Sequence, residues 1–237
     1  MTKNSINFSI IIPCYNEIEN INFLLKSFSF LNEHKDVELI VVDNGSNDGT
    51  SNKLTEIMPD YGFARSVKVD KNQGYGYGIL RGLKEAKGEY LGWTHGDLQF
   101  DAKDILKAIG IINSTQDKER IFVKGARNNR PLVDTFFTMG MSVFETLYMG
   151  AVLWDINGQP VMFHRSLMAY WKAPPYDFSL DLYAYLIARK QHFLIKRFDV
   201  FLKERKYGFS SWNNNFFDRF KLIGNILVSS RKIKKSL

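Results

Sequence analysis

His95, Asp97 and Gln99 stand at alternate positions of one short stretch, Tyr-Leu-Gly-Trp-Thr-His-Gly-Asp-Leu-Gln over residues 90–99. In extended chain, side chains at i, i+2 and i+4 share one side. An imidazole, a carboxylate and a carboxamide can then converge on a metal ion or a phosphate. Tyr90 to Trp93 reads as a short buried strand leading into them. Open α/β sheets hold their ligands in the crevice beyond the carboxyl ends of the strands. A plainer reading competes: Asp97 caps a helix expected to begin near Asp101.

The elements that would position these groups follow from the hydrophobic pattern. Phe8 to Ile12 reads as a strand that ends at Pro13, because a central strand does not tolerate proline. A helix carrying Ile18, Ile21, Leu24, Leu25 and Phe28 follows. Val37 to Val42 is a second strand and Ser51 to Met58 a second helix, capped by Asp48 in the turn-rich loop Asp43 to Thr50. Phe63 to Val69 is a third strand, and a helix after Asn72-Gln73-Gly74 runs through Ala86 into the strand at Tyr90. Alternation of strand and helix predicts an α/β fold, a mostly parallel central sheet with helices on both faces. Asp, Asn and Gly residues then gather at one sheet edge, where a nucleotide is the natural ligand. The Gly74, Gly76, Gly78 run follows a third strand and lacks the dinucleotide spacing, and no Gly-Lys-Ser/Thr phosphate loop is present.

Composition sets outer bounds. With 237 residues, 45% hydrophobic and 24% charged, the chain can bury a sizeable core. The single cysteine excludes an internal disulfide and fits a reducing compartment, and no signal peptide is visible. Thr135 to Trp154 contains Glu145 and several Gly, Ser and Thr residues, so it reads as a buried or interfacial helix rather than a membrane span. Of the net charge of +7, a disproportionate share lies late: from Leu186 onward there are thirteen Lys or Arg against three Asp or Glu. That tail predicts an anionic partner.

Seven segments occur in order between residues 13 and 210: Pro13-Cys14-Tyr15-Asn16-Glu17, Val42 to Thr50, Asn72 to Gly76, Gly96-Asp97-Leu98-Gln99, Val123 to Arg127, Asp155 to Gln159 with Arg165, and Arg205 to Ser210. Together they resemble the successive motifs of family 2 glycosyltransferases of the GT-A fold. The polyprenyl-phosphate branch, the dolichol-phosphate mannose or glucose synthases, is the most similar. The resemblance implies a single GT-A domain over residues 1–211, with a nucleotide-binding half (1–100) and an acceptor half (101–211). It implies an inverting, metal-dependent hexosyltransferase using a GDP- or UDP-sugar donor. Pro13, Tyr15, Glu17 and Asp43 would hold the nucleoside, and Arg205 would clamp its phosphates. For Glu17 a first-turn helix acid is the alternative. Asn44 stands where many members carry a second Asp.

A nucleoside diphosphate gains negative charge as it leaves, and a divalent cation stabilises that charge. The resemblance places Mg2+ or Mn2+ on Asp97 and Gln99, with His95 where the family usually has Asp. Imidazole there is a ligand favouring Mn2+, a direct phosphate contact, or the mark of a weakened site. A polyprenyl phosphate acceptor is already anionic and needs only cations to orient it; Arg127, Arg130 and Arg165 are the candidates. A sugar hydroxyl acceptor, as in envelope polysaccharide synthesis, would need a base, for which Asp181 is the candidate beside its reading as a helix-start acid. The family's Lys after the final Ser is missing, with Ser211-Trp212 in its place.

Residues 212–237 form the last unit, a basic amphipathic helix with Phe216, Phe220, Ile223 and Leu227 on one stripe and Arg219, Lys221, Arg231, Lys232, Lys234 and Lys235 around it. That pattern suits an anionic membrane surface, and packing onto the protein's own core is the alternative. Nucleic acid is the weaker reading of the partner and is not the one expected, since aromatics are not interleaved with a recognised binding motif. The expected location is cytoplasmic, peripheral to the inner face of the membrane. A non-catalytic relative that binds a membrane or partner stands as the third functional reading, motivated by His95.

Overall fold

The computed structural model describes residues 5–129, 132–203, 224 and 227–235. A seven-stranded sheet organises them, in the order β3-β2-β1-β4-β6-β5-β7. Its strands are β1 (Phe8–Cys14), β2 (Val37–Asn44), β3 (Ala64–Val69), β4 (Tyr90–Trp93), β5 (Ile121–Asn128), β6 (Val161–His164) and β7 (Leu194–Phe201). Only β6 is reversed: it pairs antiparallel with both β4 and β5, so β4, β5 and β7 all run with β1 to β3.

The two faces follow from the pleat. Ile10 and Ile12 face one way and pack with Leu24 and Leu25 of α1 (Ile21–Ser27), Leu54 of α2 (Thr50–Ile57) and Ile105 and Ile112 of α4 (Asp104–Ser114). Ile11 faces the other way, with Ile79 and Leu83 of α3 (Tyr75–Glu85), Met149 of α5 (Leu132–Met149) and α6 (Leu180–Lys190). Each such aliphatic side chain taken from water is worth about 1.5–3 kcal/mol. Every residue of β2 is buried, as expected of a strand covered on both faces. No helix among the described residues is long and apolar enough to cross a membrane.

Three local expectations change. β1 does not stop before Pro13 but runs through it to Cys14, still in register with Val42 and Asp43 of β2. The carbonyl of Ile11 accepts the Thr94 N–H at 3.1 Å, so Ile11 points its polar groups toward β4, and Pro13, two residues on, does the same. β4 pairs with β1 only as far as Trp93, so the proline nitrogen faces a neighbour that has already ended. α1 begins at Ile21 rather than Ile18, because Asn16 adopts a left-handed backbone (φ 55°) and the Glu17 carbonyl turns the chain by accepting the N–H groups of Asn20 and Ile21. α4 begins at Asp104, and Asp101 serves its start: its Oδ1 accepts the Lys103 N–H at 3.0 Å and its carbonyl the Asp104 N–H at 2.9 Å. Asp97 is therefore not that helix's cap.

A final helix over residues 227–235, here α7, docks on α5. Ile233 joins the core, the Ser230 hydroxyl donates to the buried Glu145 carboxyl, and Lys234 Nζ donates to the Tyr148 carbonyl at 2.7 Å. Phe216, Phe220 and Ile223 of the expected stripe, with Arg219 and Lys221, lie outside the described residues.

Candidate functional site

Four loops leave the carboxyl ends of β1 to β4 at one sheet edge. The first two are stitched together. Asn16 N–H donates to the Ser46 hydroxyl (2.9 Å), Asn47 N–H to Asn16 Oδ1 (3.0 Å), Glu17 N–H to Thr50 Oγ1 (2.9 Å) and Ile18 N–H to Asp48 Oδ2 (3.2 Å). The N-cap of α2 is Gly49 rather than Asp48, but Asp48, one residue earlier, accepts the Thr50 N–H at 2.9 Å and ties the β1 loop to the start of that helix. Burial works against its charge, but the Thr50 and Ile18 hydrogen bonds prevail and hold its carboxyl below the usual range.

Asp43 lies at the end of β2 with 2% exposure. Its Oδ1 accepts the Ser46 N–H at 3.0 Å, while its Oδ2 is buried with no protein hydrogen bond; the Oδ1 of Asn44 is in the same condition. Such acceptors are costly to leave unsatisfied. The Asn44 amide donates to the Gly74 carbonyl at 2.9 Å and ties the second loop to the third. Pro13 is half-buried, Tyr15 is exposed, and the Glu17 carboxylate accepts a hydrogen bond from the Asn20 amide at the start of α1.

The third loop explains its glycines by contact. Gly74 has φ 116°, and a Cβ there would lie 2.3 Å from the Tyr176 carbonyl oxygen. The 175–178 segment is thus pressed on Gly74 to Gly76, with the Tyr77 N–H donating to the Tyr176 carbonyl at 3.0 Å. This contact brings Phe178 onto Tyr75, with ring centroids 4.6 Å apart and planes at 10°. Tyr75 meets His95 at 5.3 Å, and His95 meets Phe100 at 5.8 Å. A row of four rings therefore crosses the site and fixes the plane of the imidazole. Nothing in the spacing of the sequence marks Tyr75, Phe100 or Phe178 for this, since they come from three separate segments, Tyr75 from the start of α3 and the other two from loops.

Asp97 forms an Asx-type turn: its Oδ1 accepts the Gln99 N–H at 3.2 Å across Leu98, whose φ is 61°. That left-handed residue breaks the extended geometry on which a simple i, i+2, i+4 alignment rests. The Gln99 carbonyl accepts the Lys203 N–H at 2.8 Å, so the chain leaving β7 passes beside this loop. Arg205, two residues further, and Arg130 lie outside the described residues. Among the described residues no three His, Cys, Asp or Glu side chains form a metal-holding group. By donor chemistry the Asp97 carboxylate and the Gln99 carboxamide suit a hard divalent cation that completes its shell from substrate phosphates, and the His95 imidazole tilts the set toward Mn2+.

Arg127 ends β5 at the same edge, but its fork is engaged. Asp155 Oδ1 accepts its Nε at 2.7 Å and its Nη2 at 2.5 Å, and Asp155 Oδ2 accepts its backbone N–H at 2.8 Å. Arg197 Nη2 reaches the same carboxylate at 3.3 Å. Lys124, fully buried, donates to the carbonyls of Asp155 and Ile156 at 2.7 Å each. Burial lowers its pKa to about 7, against the pull of Asp155. Burial also opposes the charge of Asp155, yet the Arg127 guanidinium and its hydrogen bonds keep that carboxyl below its ordinary range. Two guanidinium groups against one carboxylate leave this part of the edge positive. The sequence offers Arg127, whereas Lys124 and Arg197 read from it as ordinary strand residues.

Of two further expected site residues, Arg165 stands at the other edge and Asp181 is buried. Arg165 follows β6, whose last residue, His164, is level with Tyr90 at the opposite end of β4; its Nη2 donates to the Ala86 carbonyl at 3.1 Å. Reversal of β6 carries it to the far edge of the sheet, away from Arg127. Asp181 lies in the first turn of α6 but is 3% exposed. Its Oδ1 accepts the Trp93 indole N–H at 2.9 Å, and Gln159 Nε2 lies 3.4 Å away, itself bonded to the Tyr75 hydroxyl at 2.6 Å. Burial raises its pKa, with the charge of His95 acting the other way. As placed, it is a buried carboxyl held in a network with Trp93, Gln159 and Tyr75.

Comparison with known proteins agrees with this architecture. The chain is 33% identical over 109 residues to a dolichol-phosphate mannosyltransferase of Pyrococcus furiosus, covering 46% of this chain and 31% of that protein. It is 30% identical over 156 residues to a dolichyl-phosphate beta-glucosyltransferase of Dictyostelium discoideum, covering 62% and 47%. The chain thus spans about a third to a half of the length of these relatives. Glucosyl-3-phosphoglycerate synthase of Mycobacterium tuberculosis, solved with Mn2+, UDP and glucosyl-3-phosphoglycerate, superposes with a TM-score of 0.73 at 18% identity, over 96% of this chain and 79% of that one. The fold shared is GT-A. The profile described as "Glycosyl transferase family 2" matches residues 9–171 of the 237, and the chain belongs to that family.

Proposed function

We propose that the chain transfers a hexose from a GDP- or UDP-sugar to a polyprenyl phosphate, with inversion, at the cytoplasmic face of a membrane. One observation carries the reading. The nucleotide-type loops of β1 to β4 and the surplus positive charge of Arg127 and Arg197 open on the same sheet edge. A donor bound at the first would have its sugar directed toward the second. The relatives named for dolichyl phosphates support the acceptor class, and the UDP complex of the structural neighbour supports the donor class.

In this reading Pro13, Tyr15, Glu17 and Asp43 surround the nucleoside. Asp43 Oδ2, buried without a protein partner, supplies an acceptor for a base or ribose hydrogen. His95, Asp97 and Gln99 would hold Mg2+ or Mn2+, which when bound would supply positive charge against that developing on the leaving diphosphate. The ring row from Phe178 to Phe100 holds the imidazole in one orientation, so no reorganisation is needed as charge develops. Arg127 and Arg197, themselves positioned by Asp155, draw the acceptor phosphate to the anomeric carbon; Arg205 is assigned to the donor phosphates and Arg130 to the acceptor phosphate. An anionic phosphate oxygen attacks without a general base. That requirement suits a structure in which Asp181 is locked by Trp93 rather than open to an acceptor.

The test is transfer of radiolabelled hexose from UDP- and GDP-sugars to a short-chain polyprenyl phosphate by the purified full chain with Mn2+. An inverted sugar phosphate lipid is expected. Label appearing only on saccharide hydroxyls would move the assignment to polysaccharide synthesis and return Asp181 to the role of base.

A further inference from the structure

From Thr138 to Gly150 the only charged residue is Glu145, and it is buried. The outward side of α5 over this span is apolar: Met139, Val143 and Leu147, at i, i+4 and i+8, are 44%, 53% and 79% exposed. Val152 and Trp154 extend the ridge past the helix end, also exposed. A surface helix of a soluble domain normally turns charged residues outward, and an uncharged ridge of this length marks a contact surface.

What covers it is indicated by the flank. Phe144 stacks on Tyr148 at 5.5 Å with planes at 10°, and Lys234 of α7 sits 4.3 Å over the Tyr148 ring. α7 is thereby fixed along one side of the ridge. Residues 227–235 contain Arg231, Lys232, Lys234 and Lys235 and no acid, and Arg231, Lys232 and Lys235 are exposed around the exposed Val228. An apolar ridge beside a purely cationic helix matches a bilayer interface with anionic headgroups. A second copy of the chain fits less well, because a twofold contact would bring two such cationic flanks to one boundary.

We infer that the α5 ridge and α7 together form one membrane-docking face, with anionic lipid as its partner. The inference rests on the proposed acceptor only for its purpose, which is to bring the charged edge to a lipid phosphate. α7 also touches the site side of the molecule, its Ser229 hydroxyl 3.3 Å from Asp177, next to Phe178. Docking through this face therefore holds the ring row close to the lipid surface.

The test uses the full chain and vesicles of phosphatidylcholine with or without phosphatidylglycerol, free of polyprenyl phosphate and sugar donor, so its outcome does not depend on transfer. Co-sedimentation with anionic vesicles is expected, at least about tenfold weaker on neutral ones. Val143→Glu/Leu147→Glu is expected to lower the anionic partition at least about tenfold with an unchanged melting temperature. Should that variant melt early, Val143→Ser/Leu147→Ser, which adds no charge, gives the same readout. Undiminished binding by the folded variants would overturn the inference. So would a concentration-dependent dimer in the wild type that these substitutions abolish, since the ridge would then be covered by a second copy.

Discussion

Arg127 and Asp155 are joined through both backbone and side chain: one carboxylate oxygen takes the guanidinium Nε at 2.7 Å, the other the Arg127 N–H at 2.8 Å. Their side chains are 14% and 8% exposed. Removing one partner of a buried pair costs about 3–5 kcal/mol, because the other charge is left uncompensated. Asp155→Ala is therefore expected to lower unfolding stability by about that amount, read by urea denaturation near neutral pH. The folded carboxyl titrates below its ordinary value, so its contribution is present above about pH 4 and is lost as pH falls through the folded pKa. The gap between wild type and Asp155→Ala should narrow on acidification. A constant gap down to about pH 3 would show that the pair is not ionic.

Lys124 gives a slope of the same sign in a higher pH window. With a folded pKa of about 7 against an ordinary value of 10.5, the unfolded chain binds the extra proton between these limits. Stability contributed at this position should rise as pH increases from about 7 to about 10, by a few kcal/mol in all. Lys124→Met removes the titrating group and should flatten that part of the profile. Parallel profiles for the two proteins would place the lysine in a hydrated setting.

Gly74→Ala tests the contact that assembles the ring row. The added methyl would meet the Tyr176 carbonyl oxygen at 2.3 Å and would hold an L-residue at φ 116°. A loss of at least about 2 kcal/mol is expected. Far-ultraviolet dichroism should be unchanged, and near-ultraviolet signal from Tyr75 and Phe178 reduced. Wild-type stability in the variant would mean that the 175–178 segment does not pack there.

The strands and the loops they end in are legible because short continuous apolar runs and turn-forming residues carry them locally. β4 over Tyr90–Trp93 and the edge on which His95 and Asp97 stand follow directly from that pattern. Pro13 misleads because its tolerance in β1 depends on where β4 stops, a non-local fact. Arg165 misleads for a similar reason: nothing local says that β6 is reversed, and reversal moves its following residue to the far edge. Asp181 looks like a surface acid at a helix start, and only the Trp93 indole across the sheet reveals it as buried. Lys124 and Arg197 are silent in sequence because their meaning lies in a shared partner, Asp155, rather than in spacing.

Asp43 should carry nucleoside affinity. Its Oδ2 is a buried acceptor without a protein partner near the end of β2, beside the like Oδ1 of Asn44. Asp43→Ala is expected to weaken UDP or GDP binding by about ten- to a hundredfold, the range for one hydrogen bond to a charged group. Asp48→Ala, which disturbs the stitched loops without removing that acceptor, should cost stability more than affinity. Equal affinity losses in the two variants would point to loop order rather than a direct contact.

The proposed metal-assisted nucleotide-sugar site lies at the loop of His95, Asp97 and Gln99. Isothermal titration of the purified chain with UDP and GDP, with and without Mn2+, tests it most directly, with Asp97→Ala beside the wild type. Binding of one nucleotide that strengthens at least about tenfold with Mn2+ is predicted, with the strengthening lost in Asp97→Ala while the fold is kept. Absence of nucleotide binding by the folded wild type under every condition would contradict the account, as would Mn2+ enhancement that survives in Asp97→Ala.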